Sequence, residues 1–249
     1  MRNFAIVIMA AGKGTRMKDP NKAKVMFEIS GKPLVAHVID LAQKFNPQKI
    51  ISIVGFQKES VSDFINSNFK DVECVNQEPQ LGTGHAIMQT ENSLKNFDGD
   101  VLVLSGDVPN LKFDTIDELQ KIHISSDATA TILSTMLENP FGYGRILRNN
   151  EGFVTGIVEQ KDACDLEKEV KEINSGIYLF DSKNLFEALK HINSHNSQNE
   201  FYLTDVFSYF WKENKKVNAY IAKDCDEVRG INTIEQLEEA EITKNKNVA

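Results

Sequence analysis

The sequence is poor in the features that mark secreted, membrane-spanning or zinc-binding proteins. Its 249 residues include only three cysteines, Cys74, Cys164 and Cys225, which form neither a CxxC pair nor a cysteine/histidine spacing typical of zinc sites. The longest apolar run, residues 4–11, is far shorter than the ~20 residues that a transmembrane helix needs. We therefore expect reduced thiols, a cytoplasmic location and no membrane partner.

Basic charge is scarce as well. Lys and Arg total 28 against 36 Asp and Glu, which gives a formal net charge of -8. Because nucleic-acid-binding proteins generally present a basic surface, we do not expect a nucleic-acid partner. Any anionic ligand must instead meet a locally basic site. Tandem repeats are also absent, and in particular there is no run of hexapeptides of the β-helix type.

The first half of the chain alternates apolar strands with amphipathic helices. The pattern predicts strands at residues 4–9, 49–54, 72–75 and 101–105. It predicts helices at residues 33–45, 58–66, 84–94 and 114–125. Near-continuous apolar strands separated by helices indicate an α/β fold with a mostly parallel central sheet and helices on both faces.

After residue 127 the pattern becomes a mixed α+β arrangement with looser connections. We predict strands at residues 128–136, 144–148, 153–159, 172–180 and 217–222. We predict helices at residues 182–191, 202–214 and 233–243, a polar loop at 193–199 and a frayed tail from 243. No Gly/Ser/Pro-rich linker separates the two halves, so we expect one unit with two lobes.

A glycine-rich, basic segment, AAGKGTRM at residues 10–17, follows the first predicted strand directly. Such a turn at the carboxyl end of a parallel strand presents backbone N–H groups to phosphate. Met17 replaces the third glycine of a dinucleotide-binding fingerprint, and the Gly-Lys-Ser/Thr of a Walker A loop is missing. One acid, Asp19, accompanies five basic residues here, so an anion site is favoured over a solvated lysine-rich loop. The five are Lys13, Arg16, Lys18, Lys22 and Lys24.

The segment QEPQLGTGHA, residues 77–86, joins a short strand to a helix and carries groups suited to a nucleotide. The amide of Gln77 offers a donor and an acceptor side by side, which complements the edge of a nucleobase. Gly82 permits close approach of a ligand, and Thr83 is predicted to cap the following helix. The alternative is an ordinary turn and cap, and His85 is assigned a structural role.

Asp107 lies in SGDVP, residues 105–109, where a predicted central strand ends. The carboxyl end of such a strand is the usual position for ligands in open α/β sheets. A carboxylate near phosphates is suited to Mg²⁺, which takes one or two protein carboxylates together with phosphate oxygens. A turn-capping Asp is the alternative.

Four later motifs carry polar groups that suit sugar hydroxyls, although each is more typical of a structural turn when taken alone. They are GYGRI at 142–146, IVEQK at 157–161, EINSG at 172–176 and EVRGIN at 227–232. His191 and His195 lie in a polar stretch, and we expect both to be exposed.

Taken in this order, the motifs resemble those of the sugar-nucleotide pyrophosphorylases, a family of sugar nucleotidyltransferases. The similarity is greatest to the N-terminal uridylyltransferase domain of the bacterial bifunctional enzymes that also carry a glucosamine-1-phosphate acetyltransferase domain. It covers essentially the whole chain, from residue 10 to residue 232. The resemblance implies a Rossmann-like fold with a nucleotide-binding lobe at 1–127, a sugar-binding lobe at 128–232 and a C-terminal helix and tail at 233–249.

The resemblance also implies roles for individual residues. Arg16 and Lys24 would neutralise negative charge as one phosphate bond forms and the other breaks. Lys22 is the alternative to Lys24, because the segment at residues 20–24 looks one residue longer than in the family. Asp107 and Asn232 would coordinate Mg²⁺. The N-acetylated sugar would be bound by Gly144, Glu159 and Asn174. The nucleotide would be bound by Ala10, Ala11, Gly12, Gly14, Thr15, Gln77, Gly82 and Thr83.

The implied reaction is attack of N-acetylglucosamine-1-phosphate on the α-phosphorus of UTP, which forms UDP-N-acetylglucosamine and releases pyrophosphate. A related transferase with another base or sugar is the nearest alternative, because the amide of Gln77 can turn to face another base. Some relatives carry an aromatic residue where Ser105 stands, which implies a slightly different sugar pocket. The others are a non-catalytic nucleotide-sugar sensor and a Rossmann oxidoreductase, which the missing third glycine disfavours. Without hexapeptide repeats, we predict no acetyltransferase domain of left-handed β-helix type in these residues.

Overall fold

The computed structural model describes residues 2–17, 19 and 21–246. Lys18 and Pro20 of the basic segment and residues 247–249 of the predicted tail lie outside these ranges. The strands are β1 (Asn3–Ala10), β2 (Glu28–Ile29), β3 (Lys32–Pro33), β4 (Lys49–Val54), β5 (Val72–Asn76), β6 (Gly99–Ser105), β7 (Ala130–Met136), β8 (Gly144–Arg148), β9 (Val154–Val158), β10 (Glu172–Asp181) and β11 (Val217–Ile221). The α-helices are α1 (Leu34–Gln43), α2 (Lys58–Asn68), α3 (Thr83–Met88), α4 (Phe113–Ser125), α5 (Asp165–Lys168), α6 (Ser182–Leu189), α7 (Asp205–Lys212) and α8 (Ile234–Lys246). Single 3-10 turns lie at Thr15–Met17, Lys24–Met26 and Cys225–Val228.

One nine-stranded sheet forms the centre of the molecule. Its main order is β11-β7-β10-β6-β1-β4-β5, and β8 joins β10 to β9. The pairings β11-β7, β6-β1, β1-β4 and β4-β5 are parallel, whereas β10 runs antiparallel to both of its neighbours in that order. The predicted mostly parallel α/β architecture is confirmed, and strands from both halves of the chain share the sheet.

Helices cover both faces of the sheet, which explains why the first strand is apolar throughout. Ile6 and Ile8 of β1 pack into one core cluster with α1, α2 and α4. Ala5 and Val7 pack into a second cluster with α3, α6 and α7. Because successive side chains of a strand point to opposite faces, two-sided burial requires an uninterrupted apolar run.

A third, smaller cluster joins α8 to the segment that follows β1. Its buried members are Met17, Ile29, Leu34 and Ile231, and Leu237 and Ala240 of α8 pack against them. The last helix of the described chain therefore supports the same region as the basic segment.

Four helices are shorter than predicted, and the differences are largest for α3 and α7. Instead of reaching residue 94, α3 ends at Met88. The hydroxyl and the backbone N–H of Thr90 both donate to the carbonyl of Ile87, at 2.8 and 2.9 Å, and such local bonds compete with continued helix. Similarly, α7 begins at Asp205 rather than at residue 202.

The prediction that Thr83 caps α3 is wrong. Gly82 occupies the cap position, and no side chain caps this helix. The hydroxyl of Thr83 instead accepts a hydrogen bond from the backbone N–H of Leu203, at 3.0 Å. Thr83 therefore joins α3 to the segment that leads into α7.

The β2–β3 hairpin was not predicted, although its turn has a recognisable cause. Ser30 and Gly31 both have positive φ, +52° and +73°, the conformation of a two-residue type I′ turn. At the other end of the chain, the predicted frayed tail is instead helical as far as Lys246.

The predicted environments of the cysteines and histidines agree with the structure. Cys74, Cys164 and Cys225 are free, and His191 and His195 are exposed. No helix within the described part of the chain is long and apolar enough to cross a bilayer.

Candidate active site

The neighbouring strands β1 and β6 mark the point where the chain changes direction across the sheet. From β1 the chain passes through α1 to β4, and from β6 it passes through α4 to β7 on the other side. Ligands of open α/β sheets bind beyond the carboxyl ends of strands at such a switch point. A cleft of about 500 Å³ opens there. Its lining includes Ala11, Gly12, Lys13, Gly14, Thr15, Lys24, Gln77, Gly82, Thr83, Ser105 and Asp107.

A charged cluster brings together four residues that are far apart in the sequence. The ammonium group of Lys24 contacts the carboxylate of Asp107 directly and lies 3.1 Å from Oδ1 of Asn232. The guanidinium of Arg16 donates to the same oxygen at 2.9 Å. The backbone N–H of Ile231 donates to the carbonyl of Asp107 at 2.9 Å. This bond holds the Asn232 segment against the end of β6.

The two candidate lysines occupy different environments. Lys24 lines the cleft, whereas Nζ of Lys22 lies 5.1 Å from the ring centroid of Phe27. Gly14 allows Lys24 to come close, because it has φ +60° and a Cβ there would collide with that of Lys24. The geometry therefore favours Lys24 for a role at the cleft.

The oxygens around Lys24 suit a hard divalent cation. Asp107 supplies a carboxylate and Asn232 an amide carbonyl, and both already contact one positive group, the Lys24 ammonium. Within residues 2–17, 19 and 21–246, no three His, Cys, Asp or Glu side chains gather to hold a metal. A cation here would therefore take its remaining ligands from water and phosphate, as Mg²⁺ commonly does.

Gln77 follows β5, three strands from β6 in the sheet, and lines the cleft with only 4% of its surface exposed. Its amide nitrogen donates to the carbonyl of Gly82 at 2.8 Å and lies 3.3 Å from Nδ1 of His85. Gly82 has φ +106°, and a Cβ there would lie 2.6 Å from the carbonyl oxygen of Phe201. Any larger residue at position 82 would displace this loop and with it the amide of Gln77.

A second pocket of about 220 Å³ adjoins the cleft and shares Met9, Thr83 and Ser105 with it. It gathers the three residues predicted to bind the sugar: Gly144, Glu159 and Asn174. Gly144 is paired with Asn174 where β8 meets β10, and a Cβ on Gly144 would lie 3.3 Å from Oε2 of Glu159.

The polar groups of the second pocket are held by neighbours. The hydroxyl of Thr204 donates to Oε1 of Glu159 at 3.1 Å, and the amide of Asn174 donates to the hydroxyl oxygen of Tyr178 at 2.6 Å. Burial raises the pKa of the Glu159 carboxyl; the Thr204 hydrogen bond lowers that pKa, and nearby Asp162 raises it. Burial also raises the pKa of the Tyr178 hydroxyl, which stays neutral. The pocket thus offers a fixed carboxylate acceptor to hydroxyl or amide donors.

A buried arginine supports the loop beside this pocket. Arg145 is 1% exposed, and its guanidinium contacts the carbonyl of Tyr143 and donates to Oε1 of Gln160 at 2.9 Å. The same oxygen accepts the backbone N–H of Gly142 at 3.1 Å. Arg145 thereby fixes the turn that precedes Gly144.

Sequence reasoning left several lining residues unassigned. Gln80 and Glu200 line the larger cleft, and Tyr143 and Tyr178 line the smaller pocket. Gln80 and Tyr143 lie within the motifs at 77–86 and 142–146 but were given no role there, whereas Tyr178 in β10 and Glu200 lie outside the motifs described above. Conversely, Ala10 lies in the core with 1% exposure, and its predicted contact with a nucleotide stays a prediction.

Relatives with known names match the whole chain. The bifunctional protein GlmU of Streptococcus equi subsp. zooepidemicus is 45% identical over 248 residues, which cover 100% of this chain and 53% of that protein. The bifunctional protein GlmU of Streptococcus suis is 46% identical over 248 residues with the same coverage. The chain thus spans about half the length of the curated relatives it matches.

Solved structures share the fold at low sequence identity. UDP-glucose pyrophosphorylase complexed with UDP-glucose superposes with a TM-score of 0.79 at 19% identity, covering 99% of this chain and 100% of that chain. A putative glucose-1-phosphate thymidylyltransferase from Bacillus anthracis in complex with a sucrose gives a TM-score of 0.75 at 19% identity, covering 96% and 94%. These likenesses establish the fold.

The family is shown by the sequence itself. The nucleotidyl transferase family model matches residues 5–228, a range that begins within β1 and contains the glycine-rich loop, Gln77, Asp107 and the three pocket residues Gly144, Glu159 and Asn174. The chain belongs to the nucleotidyl transferase family.

Proposed function

We propose that this chain forms UDP-N-acetylglucosamine and pyrophosphate from UTP and N-acetylglucosamine-1-phosphate. The observation that carries the proposal is a cluster of four residues, Arg16, Lys24, Asp107 and Asn232. Asp107 follows Ser105 by two residues, and Ser105 lines both pockets. Two phosphate-bearing substrates repel each other, and cationic side chains between them offset that repulsion. The similarity to the GlmU proteins over the full chain supports the choice of substrates.

The larger cleft is assigned to UTP. The glycine-rich loop offers backbone N–H groups to the triphosphate at Gly12 and Gly14, and Lys13 adds positive charge. Gln77 follows β5, two strands from β1 in the sheet, and its amide suits the edge of a base. A nucleotide would therefore extend from Gln77 towards Lys24.

The smaller pocket is assigned to the sugar. Its carboxylate, Glu159, and its amide, Asn174, suit the hydroxyl and acetamido groups of an N-acetylated sugar. Ser105 lies where the two pockets meet. A sugar phosphate in the smaller pocket would thus direct its phosphate towards the cluster.

The reaction needs no covalent enzyme intermediate, because both reactants are phosphates. An oxygen of the sugar phosphate attacks the α-phosphorus of UTP, and pyrophosphate leaves in line. Arg16 and Lys24 stabilise the charge that grows on the α-phosphate and the leaving group, while the loop holds the triphosphate in the required orientation. A divalent cation on Asp107 and Asn232, proposed to be Mg²⁺, would neutralise phosphate oxygens of both substrates.

The proposal includes the predicted lobes and the cytoplasmic location. The loop after β1, Gln77 and Asp107 all lie within residues 1–127, and the smaller pocket draws mainly on residues 128–232. The free thiols of Cys74, Cys164 and Cys225 suit a reducing compartment. No nucleic-acid or membrane partner is proposed.

The decisive test is pyrophosphate release with each of ATP, CTP, GTP and UTP, paired in turn with N-acetylglucosamine-1-phosphate, glucosamine-1-phosphate and glucose-1-phosphate. We expect kcat/KM to be highest, by at least about 100-fold, for UTP with N-acetylglucosamine-1-phosphate. Faster turnover of another pair would identify a related transferase. UTP binding without turnover in Mg²⁺ would favour a nucleotide-sugar sensor.

Arg16→Ala is expected to lower kcat about 100-fold with little change in the KM for UTP. The reason is that the charge of Arg16 stabilises the transition state, in which negative charge grows on the α-phosphate and the leaving group, more than it stabilises bound UTP. Steady-state kinetics with Arg2→Ala as control measure this, since Arg2 pairs with Asp100 and Asp127 near the amino ends of β1 and β6, whereas the cleft lies beyond their carboxyl ends. An effect confined to KM would assign Arg16 to ground-state binding instead.

Glu159→Gln is expected to raise the KM for the sugar phosphate about 30-fold, because hydrogen bonds to a charged acceptor are lost. The same change is expected to raise Tm near pH 8 by roughly 2 °C. Burial raises the pKa of Glu159 in the folded protein above its value in the unfolded chain. The buried charge therefore lowers the stability of the fold at pH values above the folded pKa. Well below the unfolded pKa, the carboxyl is neutral in both states and this loss of stability vanishes. The gain in Tm should therefore disappear by about pH 3.

The matched control for Glu159→Gln is Glu151→Gln, since Glu151 is exposed in the turn between β8 and β9. Thermal unfolding at both pH values and sugar-phosphate kinetics at pH 8 are measured for the two variants. A Glu159 variant with an unchanged KM would remove this residue from the sugar site.

A further inference from the structure

Both donors of the Gln77 amide are engaged within the protein. One N–H is directed to the carbonyl of Gly82 at 2.8 Å, and the other faces Nδ1 of His85 at 3.3 Å. An amide group has two N–H donors and one carbonyl oxygen. Since Gln77 lines the cleft, the group that it can present to a ligand is the carbonyl oxygen, an acceptor.

The carbonyl of Gly82 determines which way round this amide lies. If the amide were reversed, its oxygen would face the Gly82 carbonyl, and two acceptors would oppose each other. Gly82 in turn is held by its surroundings, because backbone hydrogen bonds join its neighbours Leu81 and Gly84 to Phe201, at 2.8 and 2.7 Å. The Gln77 nitrogen therefore has a fixed position, and His85 must accept from it.

His85 can accept at only one ring nitrogen. Besides Gln77, the amide nitrogen of Gln89 lies 3.1 Å from Nε2 of His85, but a neutral imidazole has one donor and one acceptor. Gln89 is half-buried at the end of α3, and its amide nitrogen also donates to the backbone carbonyl of His85 at 3.0 Å. Gln77 is only 4% exposed, so reversing its amide would oppose two buried acceptors, whereas the half-exposed amide of Gln89 can exchange its protein partners for water. We therefore assign the lone pair to Nδ1 and the proton to Nε2. Burial lowers the pKa of His85, which favours the neutral ring.

We infer that His85 is a positioning residue for base selection: its Nδ1 holds the Gln77 amide with the carbonyl oxygen towards the nucleobase. This inference rests on the proposed function and deepens it. His85 does not touch the substrate and acts through Gln77. The ring of His85 is itself supported by Phe201, whose centroid lies 6.5 Å away.

The arrangement selects between pyrimidines. Uracil carries an N3–H donor between two carbonyl groups, and this donor matches the free oxygen of Gln77. Cytosine carries a bare N3 acceptor, which would oppose that oxygen. A reversed amide would match cytosine instead, so the orientation of one side chain decides which of the two bases is accepted.

The test compares His85→Leu, which removes the acceptor, with His85→Asn, whose side-chain oxygen takes the place of Nδ1. For His85→Leu we expect the KM for UTP to rise about 5-fold and the ratio of kcat/KM for UTP over CTP to fall by a similar factor. The kcat at saturating UTP and the KM for the sugar phosphate should stay within about twofold of their original values. His85→Asn should restore most of the UTP preference, and His195→Leu, an exposed histidine in a polar loop, serves as the matched control.

Three results would overturn the inference. They are an unchanged UTP over CTP ratio in His85→Leu, equal losses for UTP and the sugar phosphate, or a His85→Asn variant as impaired as His85→Leu. If His85→Leu does not fold, the ¹⁵N chemical shifts of His85 in the original protein decide: a protonated Nδ1 at neutral pH contradicts the inference, and an unprotonated Nδ1 supports it. Failure of the proposed function is distinguishable, because the original protein would then show no UTP turnover at all.

Discussion

Asp107→Asn is expected to lower kcat by about 1000-fold while leaving the fold intact. Asp107 is the one carboxylate in the cluster, and its charge both pairs with Lys24 and suits a divalent cation. An amide of the same shape keeps the backbone bond from Ile231 to Asp107 but offers the cation only a neutral oxygen. Losing this charge weakens cation binding and so removes much of the stabilisation of two phosphates brought together. In metal-assisted sites, such stabilisation contributes several kcal/mol, which corresponds to a loss of about 1000-fold.

The measurement is pyrophosphate release over a range of Mg²⁺ concentrations, with thermal unfolding recorded in parallel. Asp127→Asn is the matched control, because the side chain of Asp127 is 93% exposed and lies beside Arg2, at the amino ends of the strands and away from the cleft. A folded Asp107→Asn protein with near-normal turnover would exclude this residue as the cation ligand.

Lys24→Met is expected to lower kcat by at least about 100-fold, whereas Lys22→Met should remain within about twofold of the original protein. Lys24 contacts both Asp107 and Asn232, and Lys22 lies over the ring of Phe27. Methionine preserves most of the length and packing of lysine without the charge, so the comparison isolates the ammonium group.

Kinetics of the two lysine variants, measured under identical conditions, separate the two candidates directly. The reverse pattern, with Lys22→Met impaired and Lys24→Met active, would move the catalytic role to Lys22. Direct binding of UTP to Lys24→Met shows whether the loss lies in the chemical step, where we expect it, or in ground-state binding.

Much of the fold could be predicted because local pattern and global architecture agree. The apolar run at β1 requires burial on both faces, and the sheet provides it. The glycine-rich turn after β1 and the Gly-Asp after β6 lie at the carboxyl ends of adjacent parallel strands, so their meeting follows from topology. The resemblance added Asn232, which no local pattern assigns to the cleft.

The remaining features depend on contacts that no short motif encodes. The early end of α3 follows from the hydrogen bonds of Thr90, and the engagement of Thr83 depends on Leu203, 120 residues away. His85 was assigned a structural role because a histidine at a helix start has no distinctive spacing. Its link to Gln77 is visible only once the loop is folded.

The strand order of the central sheet has a consequence for redesign. The glycine-rich loop follows β1, Asp107 follows β6, and Asn174 lies in β10, and these three strands are consecutive in the sheet. Neighbouring strands are spaced about 4.8 Å apart, so β1 and β10 are separated by roughly 10 Å across β6. The spacing of the strands thus sets the interval between the loop after β1 and the smaller pocket. For the proposed reaction, engineering that aims at a different sugar can therefore vary the ends of β8, β9 and β10 while the interval across which the nucleotidyl group is transferred stays constant.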